Sequence, residues 1–232
     1  MLWAAVVSRP DIAYATGTLS QFIQNLGYTH WEGVEWIIVY LGSTKDKWLT
    51  FGGETETGIQ GYCDADWAGQ KHHHLISGYS FHFRIGAVTW SSKKQHIIVL
   101  SSTEAEYIAQ THAAKEGIWL QMFVAEILGS EPTVMKVNCD NQGVIALTKD
   151  NKFHSRMKHI DLWYHFIWEA VEDNKISISY ILTDENVSDV LTKALARPKF
   201  EQFIEALGLR RLERKGREER TTRKKASVTN SV

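Results

Sequence analysis

From Ile59 to Asp66 apolar or small residues alternate with polar ones. A strand built from this segment carries Ile59, Gly61, Cys63 and Ala65 on one face and Gln60, Tyr62, Asp64 and Asp66 on the other. Two carboxylates therefore share a face. Tyr79, Phe81, Phe83 and Ile85 alternate in the same way, Gly86 turns the chain, and Val88 to Ser92 with His96 to Leu100 supply a third strand, bulged or split. Three strands in immediate succession predict an antiparallel meander.

Helical spacing takes over from about Ser102, with an interruption expected near Gly117 and an end at Gly129. Strand then alternates with helix: Val134 to Asp140, a short helix over Asn141 to Leu147, a longer one over His159 to Asn174, and a last strand over Ile176 to Leu182. Asn186 is a natural cap for a helix whose Val187, Val190, Leu191, Ala194 and Leu195 make one apolar stripe ending before Pro198. Phe200, Phe203, Ile204 and Leu207 form a further amphipathic helix closed by Gly208. The order βββαβαβα predicts an α/β fold with a mixed five-stranded sheet flanked by helices.

Ahead of this lies a small helical unit. Ile12, Ala15, Leu19, Phe22 and Ile23 recur at helical spacing after Pro10, a second helix is expected from about His30 to Leu41, and Trp48, Leu49 and Phe51 read as a short strand. Behind it lies a basic end: Arg210 to Lys225 holds nine Lys or Arg against three Glu, a net of +6, which leaves −7 for the other residues. Such a run reads as a solvated segment, with a weak nucleic-acid contact as its lesser role. The division expected is 1–57, 58–209 and 210–232.

The two cysteines, Cys63 and Cys139, are 76 positions apart with no CxxC pairing, so neither a disulfide framework nor a clustered-thiolate zinc site is available. The longest apolar run, Trp36 to Leu41, is far shorter than the roughly 20 residues of a membrane span, and Met1 to Val7 lacks a basic leader signature. The expectation is a chain of the cytoplasm or nucleus, not secreted, with no membrane partner.

Acidic residues stand where strands end and helices start: Asp64 and Asp66, Glu104 and Glu106, Asp140, and Asp189. Singly, each has a structural explanation. Glu104 completes a capping box with Ser101, or Glu106 one with Thr103; Asp189 complements a helix dipole; Asp140 suits an Asx turn or a cap. Jointly they need a cation. Two carboxylates about 4 Å apart repel by about 4 kcal/mol at an effective dielectric near 20, so a fold does not gather four of them for stability. Hard oxygen donors favour Mg²⁺ or Mn²⁺, and two such ions suit in-line phosphoryl chemistry.

GYCDADWAG (61 to 69), SGYSF (77 to 81), WSSKKQ (90 to 95), LSSTEAEYIA (100 to 109), CDNQ (139 to 142), KHIDLWYHFI (158 to 167) and NVSDVLTK (186 to 193) together resemble the ribonuclease H domain of copia-type retrotransposon Pol polyproteins. RPDIAYA (9 to 15), LSQF (19 to 22) and HWEGVEWIIVYLGST (30 to 44) resemble the connection segment that follows reverse transcriptase in the same polyproteins. The resemblance implies a ribonuclease H-like fold and Asp64, Glu106, Asp140 and Asp189 as catalytic, metal-holding carboxylates, with Asp66 the runner-up to Asp64. It implies two Mg²⁺ or Mn²⁺ ions, endonucleolytic cleavage of RNA in an RNA/DNA hybrid, and 3′-hydroxyl and 5′-phosphate products. Recognition would rest on 2′-hydroxyls across the shallow minor groove. Lys93, Lys94, Gln95 and Asn141 are the candidate nucleic-acid contacts, and the rest of a Pol polyprotein is a candidate partner.

Two departures stand out. Many cellular ribonucleases H carry a histidine in the loop before the last aspartate, whereas Thr183 to Ser188 has none. The run His72, His73, His74 follows the first motif, but adjacent side chains diverge and do not chelate one ion, so it reads as a solvated loop. The competing reading is an inert retroelement remnant that keeps nucleic-acid binding without turnover. An integrase would need a His/His/Cys/Cys zinc module, and a polymerase a paired-Asp strand turn; the sequence has neither.

Overall fold

The computed structural model describes residues 1–52, 58–66, 75–95, 101–149 and 161–211. The expected strand at His96 to Leu100, the histidine run at 72–74 and the basic residues from 212 onward lie outside that range.

The first elements are α1 (Leu2–Val7), a 3₁₀ turn at Pro10–Ile12, α2 (Ala13–Ser20), α3 (Tyr28–Ser43) and β1 (Lys47–Leu49). Pro10 opens the turn because it has no N–H to leave unpaired there. Asp11 is buried and satisfied from two sides, by Arg9 Nη2 at 2.7 Å and Tyr40 O–H at 2.7 Å, which fastens α3 to the turn. The α3 helix passes through Gly42, the expected stop, and ends at Ser43 with Thr44 as its C-cap; helical φ/ψ is open to glycine, and this one meets nothing a side chain would strike.

The meander forms as expected: β2 (Ile59–Asp66), β3 (Ile76–Phe83) and β4 (Gly86–Lys94) are antiparallel neighbours. A register shift between Phe81 and His82 passes over Val88, a bulge near the start of β4, whereas the bulge or split expected after Ser92 is not met before β4 ends at Lys94. Then come α4 (Ser102–Leu128), β5 (Met135–Cys139), α5 (Gln142–Lys149), α6 (Asp161–Glu172) and β6 (Ile176–Tyr180). Strands β5 and β6 add in parallel beyond β2, giving the order β4-β3-β2-β5-β6. This is the mixed five-stranded α/β sheet expected from the sequence.

Helix α4 does not break at Gly117. A Cβ there would lie 3.0 Å from Phe81 Cε1 and from Met135 Cγ, so the glycine allows the helix to pass close over the sheet. The helix starts on Ser101, whose hydroxyl accepts from Glu104 N–H, and stops at Gly129 in the left-handed conformation at φ 61°. Its buried face, with Tyr107, Ile108 and Ala113, packs with Phe81, Val137 and Ile167 into one core.

A second core lies across the sheet, beneath α7 (Asp189–Thr192), α8 (Arg197–Ala206) and β7 (Leu209–Arg211), where Val190, Leu191, Phe203 and Ile204 meet Ala87 and Tyr62. The single long helix expected after Asn186 is instead α7 followed by an extended link. Lys193 leaves the helix in extended conformation at φ −143°, and Pro198 sits in the first turn of α8. Strand β7 pairs antiparallel with β1, so Arg210 and Arg211 belong to the folded part and not to the expected tail. That pairing also ties the first and last described segments together.

Candidate metal centre

The centre assembles at the carboxyl ends of β2 and β5, beneath the start of α7. Gly78 on β3 sits opposite Asp64 in the ladder, and a Cβ on it would come within 2.7 Å of Thr192 Cγ2 and 2.9 Å of Leu191 Cβ. The missing side chain lets α7 lie directly on the sheet. Thr192 then donates its hydroxyl to Asp64 Oδ2, and Asp189 enters from above. One carboxylate oxygen each from Asp64, Asp140 and Asp189 lie within 4.8 Å of one another. Glu106, on the second turn of α4, meets Asp140 at the edge of this group: its oxygen, one from Asp140 and Cys139 Sγ are again mutually within 4.8 Å. The four acids expected from the sequence are thus brought to one place.

The runner-up, Asp66, is partly exposed at the end of β2 and enters neither group, although it shares a strand face with Asp64. Two strand residues advance the chain by about 7 Å, enough to carry it past the cluster. Asp140 is freed from the capping role open to it, because Asn141 takes that role: its Oδ1 accepts from Val144 N–H at 3.2 Å at the start of α5. Asn141 is therefore engaged as a cap. Lys93 is exposed and Lys94 partly so at the end of β4. Gln95 is a correction to the surface set. It is 6 % exposed, and its amide donates to Ser77 Oγ and Ala105 O, which braces the end of β4 against α4 and leaves nothing to offer a phosphate.

Electrostatics mark the cluster as strained without a cation. Burial, reinforced by the Asp189 and Asp140 charges, pushes Asp64 up to about 6 despite the pull of Lys193. Burial, followed by the charges of Asp64, Cys139 and Asp140, holds Glu106 well above the usual carboxylate range. Glu106 Oε2 is buried with no hydrogen-bond partner. Asp189 is fully buried, and its oxygens make no well-formed hydrogen bond; besides the other carboxylates they face two ammonium groups, Lys193 Nζ at 2.9 Å and Lys199 Nζ at 3.3 Å. A hard divalent ion fits such a set: oxygen donors, excess negative charge and lone pairs left over.

Three residues were given no part in this centre by the sequence. Lys193 follows Asp189 by one helical turn, an i, i+4 spacing that could have flagged it, and also reaches Asp64 Oδ2 at 3.7 Å. Asn186 is not the cap expected of it: its Nδ2 donates to Cys63 O at 2.9 Å and to Asp140 Oδ1 at 3.3 Å, tying the loop before α7 to β2 and to the second aspartate. Cys139 was weighed only for disulfides and zinc clusters.

The strand order and the acids at its carboxyl edge define an α/β protein whose mixed five-stranded sheet carries a carboxylate centre. No protein-family model matches the chain. It is 46% identical over 210 residues, 90% of its length, to the retrovirus-related Pol polyprotein from transposon TNT 1-94 of Nicotiana tabacum. It is 36% identical over 205 residues, 87% of its length, to that from transposon RE2 of Arabidopsis thaliana. The chain spans 16% and 14% of those two relatives. Among solved structures it is similar to LC11-RNase H1 in complex with RNA/DNA hybrid, at 17% identity and a TM-score of 0.45, covering 58% of this chain and 94% of that one. The chain belongs to the family of retrovirus-related Pol polyproteins of transposons.

Proposed function

We propose that this segment is the ribonuclease H of a transposon Pol polyprotein, a metal-dependent endonuclease that hydrolyses the RNA strand of RNA/DNA hybrids. The observation that carries the reading is the convergence of Asp64, Asp140 and Asp189 from three separate elements within 4.8 Å, with Glu106 at their edge. Burying these acids together raises the energy of the empty centre, a cost that a binding module or a scaffold would have no use for.

Asp64, Glu106, Asp140 and Asp189 would hold two Mg²⁺ or Mn²⁺ ions. When bound, such ions supply an activated water and stabilise the leaving 3′ oxygen. The protein's part is preorganisation. Thr192 fixes one oxygen of Asp64, Asn186 orients Asp140 and holds it to β2, and α7 presents Asp189 rigidly because Val190 and Leu191 are locked in the core below. Lys93 and Lys94, at the open end of β4, would meet backbone phosphate and so give affinity with little dependence on base sequence. Products would carry 3′-hydroxyl and 5′-phosphate ends.

A second reading, an inert remnant that still binds nucleic acid, draws support from Lys193 and Lys199, which already neutralise Asp189. Charge counting works against it. Two ammonium groups face four acids and leave Glu106 Oε2 without a partner, and Lys193 is partly exposed on a flexible stem that can swing aside. The deciding experiment is cleavage of a hybrid with labelled RNA in Mg²⁺ or Mn²⁺ by wild type and by Asp140→Asn. Wild type should cut and the variant should not, with the variant's circular dichroism unchanged; equal behaviour of the two would overturn the nuclease.

A further inference from the structure

The proposed hydrolysis leaves two thiols unused, and both stand against the carboxylates. Strands β2 and β5 run parallel with Gln60 opposite Lys136 and Tyr62 opposite Asn138, a register that carries on to set Cys63 beside Cys139. Both cysteines are free and fully buried. Cys63 Sγ donates to Asn138 O at 3.7 Å, whereas Cys139 Sγ accepts from Asn141 N–H at 3.4 Å.

Cys139 Sγ lies within 4.8 Å of one oxygen each of Glu106 and Asp140. Beside it, Glu106 Oε2 is buried with no hydrogen-bond partner. Asp64 and Asp189 stand outside this trio. The donor set is therefore one sulfur and two carboxylates. Mg²⁺ binds oxygen and avoids sulfur, whereas thiolate selects softer ions such as Zn²⁺ and Cd²⁺, which accept mixed sulfur and oxygen donors in tetrahedral sites.

We propose that Glu106, Cys139 and Asp140 form a binding site for a thiophilic divalent cation of the zinc and cadmium class, overlapping the hydrolytic centre at one edge. Binding exchanges the Cys139 thiol proton, released to solvent, for a metal–sulfur bond. The site shares Glu106 and Asp140 with the catalytic set, so its occupant displaces the hard ions. That last step rests on the nuclease reading; the binding itself does not.

Cadmium is the probe, used with the full chain stripped of metal. Isotopically enriched Cd²⁺ should give one bound resonance per chain in the range of sulfur-containing sites, together with a thiolate-to-metal ultraviolet band that survives excess Mg²⁺. Cys139→Ser should remove the band and weaken Cd²⁺ binding by roughly 100-fold. An oxygen-only resonance in wild type, or unchanged Cd²⁺ affinity in Cys139→Ser, overturns the site. If that variant does not fold, the wild-type resonance decides alone. Mn²⁺ bound beforehand and followed by its electron paramagnetic signal should be released by one equivalent of Cd²⁺, and retention of the Mn²⁺ signal overturns the overlap. A chain that shows the sulfur resonance but cuts no hybrid refutes only the nuclease; one that cuts hybrid but shows no sulfur resonance refutes only this site.

Discussion

Lys193 Nζ lies 2.9 Å from Asp189 Oδ1, one helical turn back along α7, and 3.7 Å from Asp64 Oδ2, so a side chain of the protein stands between two of the acids expected to hold metal. Although burial works against it, those carboxylates hold the Lys193 ammonium above its ordinary value, so it stays charged at any pH of interest. It therefore competes with metal for the same negative potential. Replacing it removes the competitor and, in the metal-free protein, leaves the acids without a counter-charge. Lys193→Met should bind Mn²⁺ about tenfold more tightly by calorimetry, and its metal-free form should melt below wild type. Equal Mn²⁺ affinities would show that the lysine does not guard the centre.

Acid titration of the metal-free protein should show two effects of opposite sign. Asp64 is raised from 3.8 to about 6, so its proton stabilises the folded state below 3.8, and that stability is lost as pH rises through 6. His82, buried on β3, is lowered from 6.5 to about 4 by desolvation, so the folded state loses stability as pH falls from 6.5 through 4. The two, each about 3 kcal/mol, oppose one another across the same window, and Glu106, also held high by burial, shares the sign of Asp64. Relative to wild type in denaturant unfolding, Asp64→Asn should lose stability toward acid and His82→Gln should lose it toward neutrality. An Asp64→Asn profile parallel to that of wild type would rule out the opposition.

The docking of α7 depends on Gly78. Gly78→Ala places a methyl 2.7 Å from Thr192 Cγ2 and 3.3 Å from Ser188 O, where backbone cannot yield cheaply, so α7 must lift from the sheet. The cost should be about 1–3 kcal/mol of stability, with a larger proportional loss of Mn²⁺ affinity because Asp189 moves away from Asp64. Gly42→Ala is the control. That glycine is exposed within α3 with nothing near its missing Cβ, and alanine there should stabilise by about 0.5–1 kcal/mol with no change in metal binding. If both variants bind Mn²⁺ like wild type, the glycine does not set the site.

What the sequence disclosed and what it hid divide along the range of the interaction. The alternation from Ile59 to Asp66 gave β2 to the residue, because strand period is a local property with one face buried. Gly117 misled for the opposite reason: a glycine that breaks an isolated helix is here required by Phe81, which lies 36 positions earlier and across a layer interface. The four acids could be named from their motifs, but the cap that frees Asp140 belongs to Asn141, and the residue that orients it, Asn186, arrives from a loop 46 positions on. Gln95 was misjudged because burial at a strand end depends on how α4 crosses it, which no pattern within WSSKKQ records.

Lys93 and Lys94 offer a test of substrate contact separate from chemistry. Lys93 pairs across the ladder with Ser77 and Lys94 with Ile76, at the same end of the sheet as Asp64, whose partner is Gly78. Phosphate held by these ammonium groups would release condensed counterions, and each contact contributes to the dependence of affinity on salt. With Asp140→Asn as a non-cutting background, Lys93→Ala should weaken hybrid binding at every base sequence alike. The slope of log affinity against log salt should become shallower by about 1, and by up to about 2 when Lys94→Ala is added. Gln95→Ala should leave that slope untouched and lower thermal stability instead, since its amide braces Ser77 and Ala105 and meets no solvent. A salt slope identical in wild type and the double lysine variant would move the nucleic-acid track away from the end of β4.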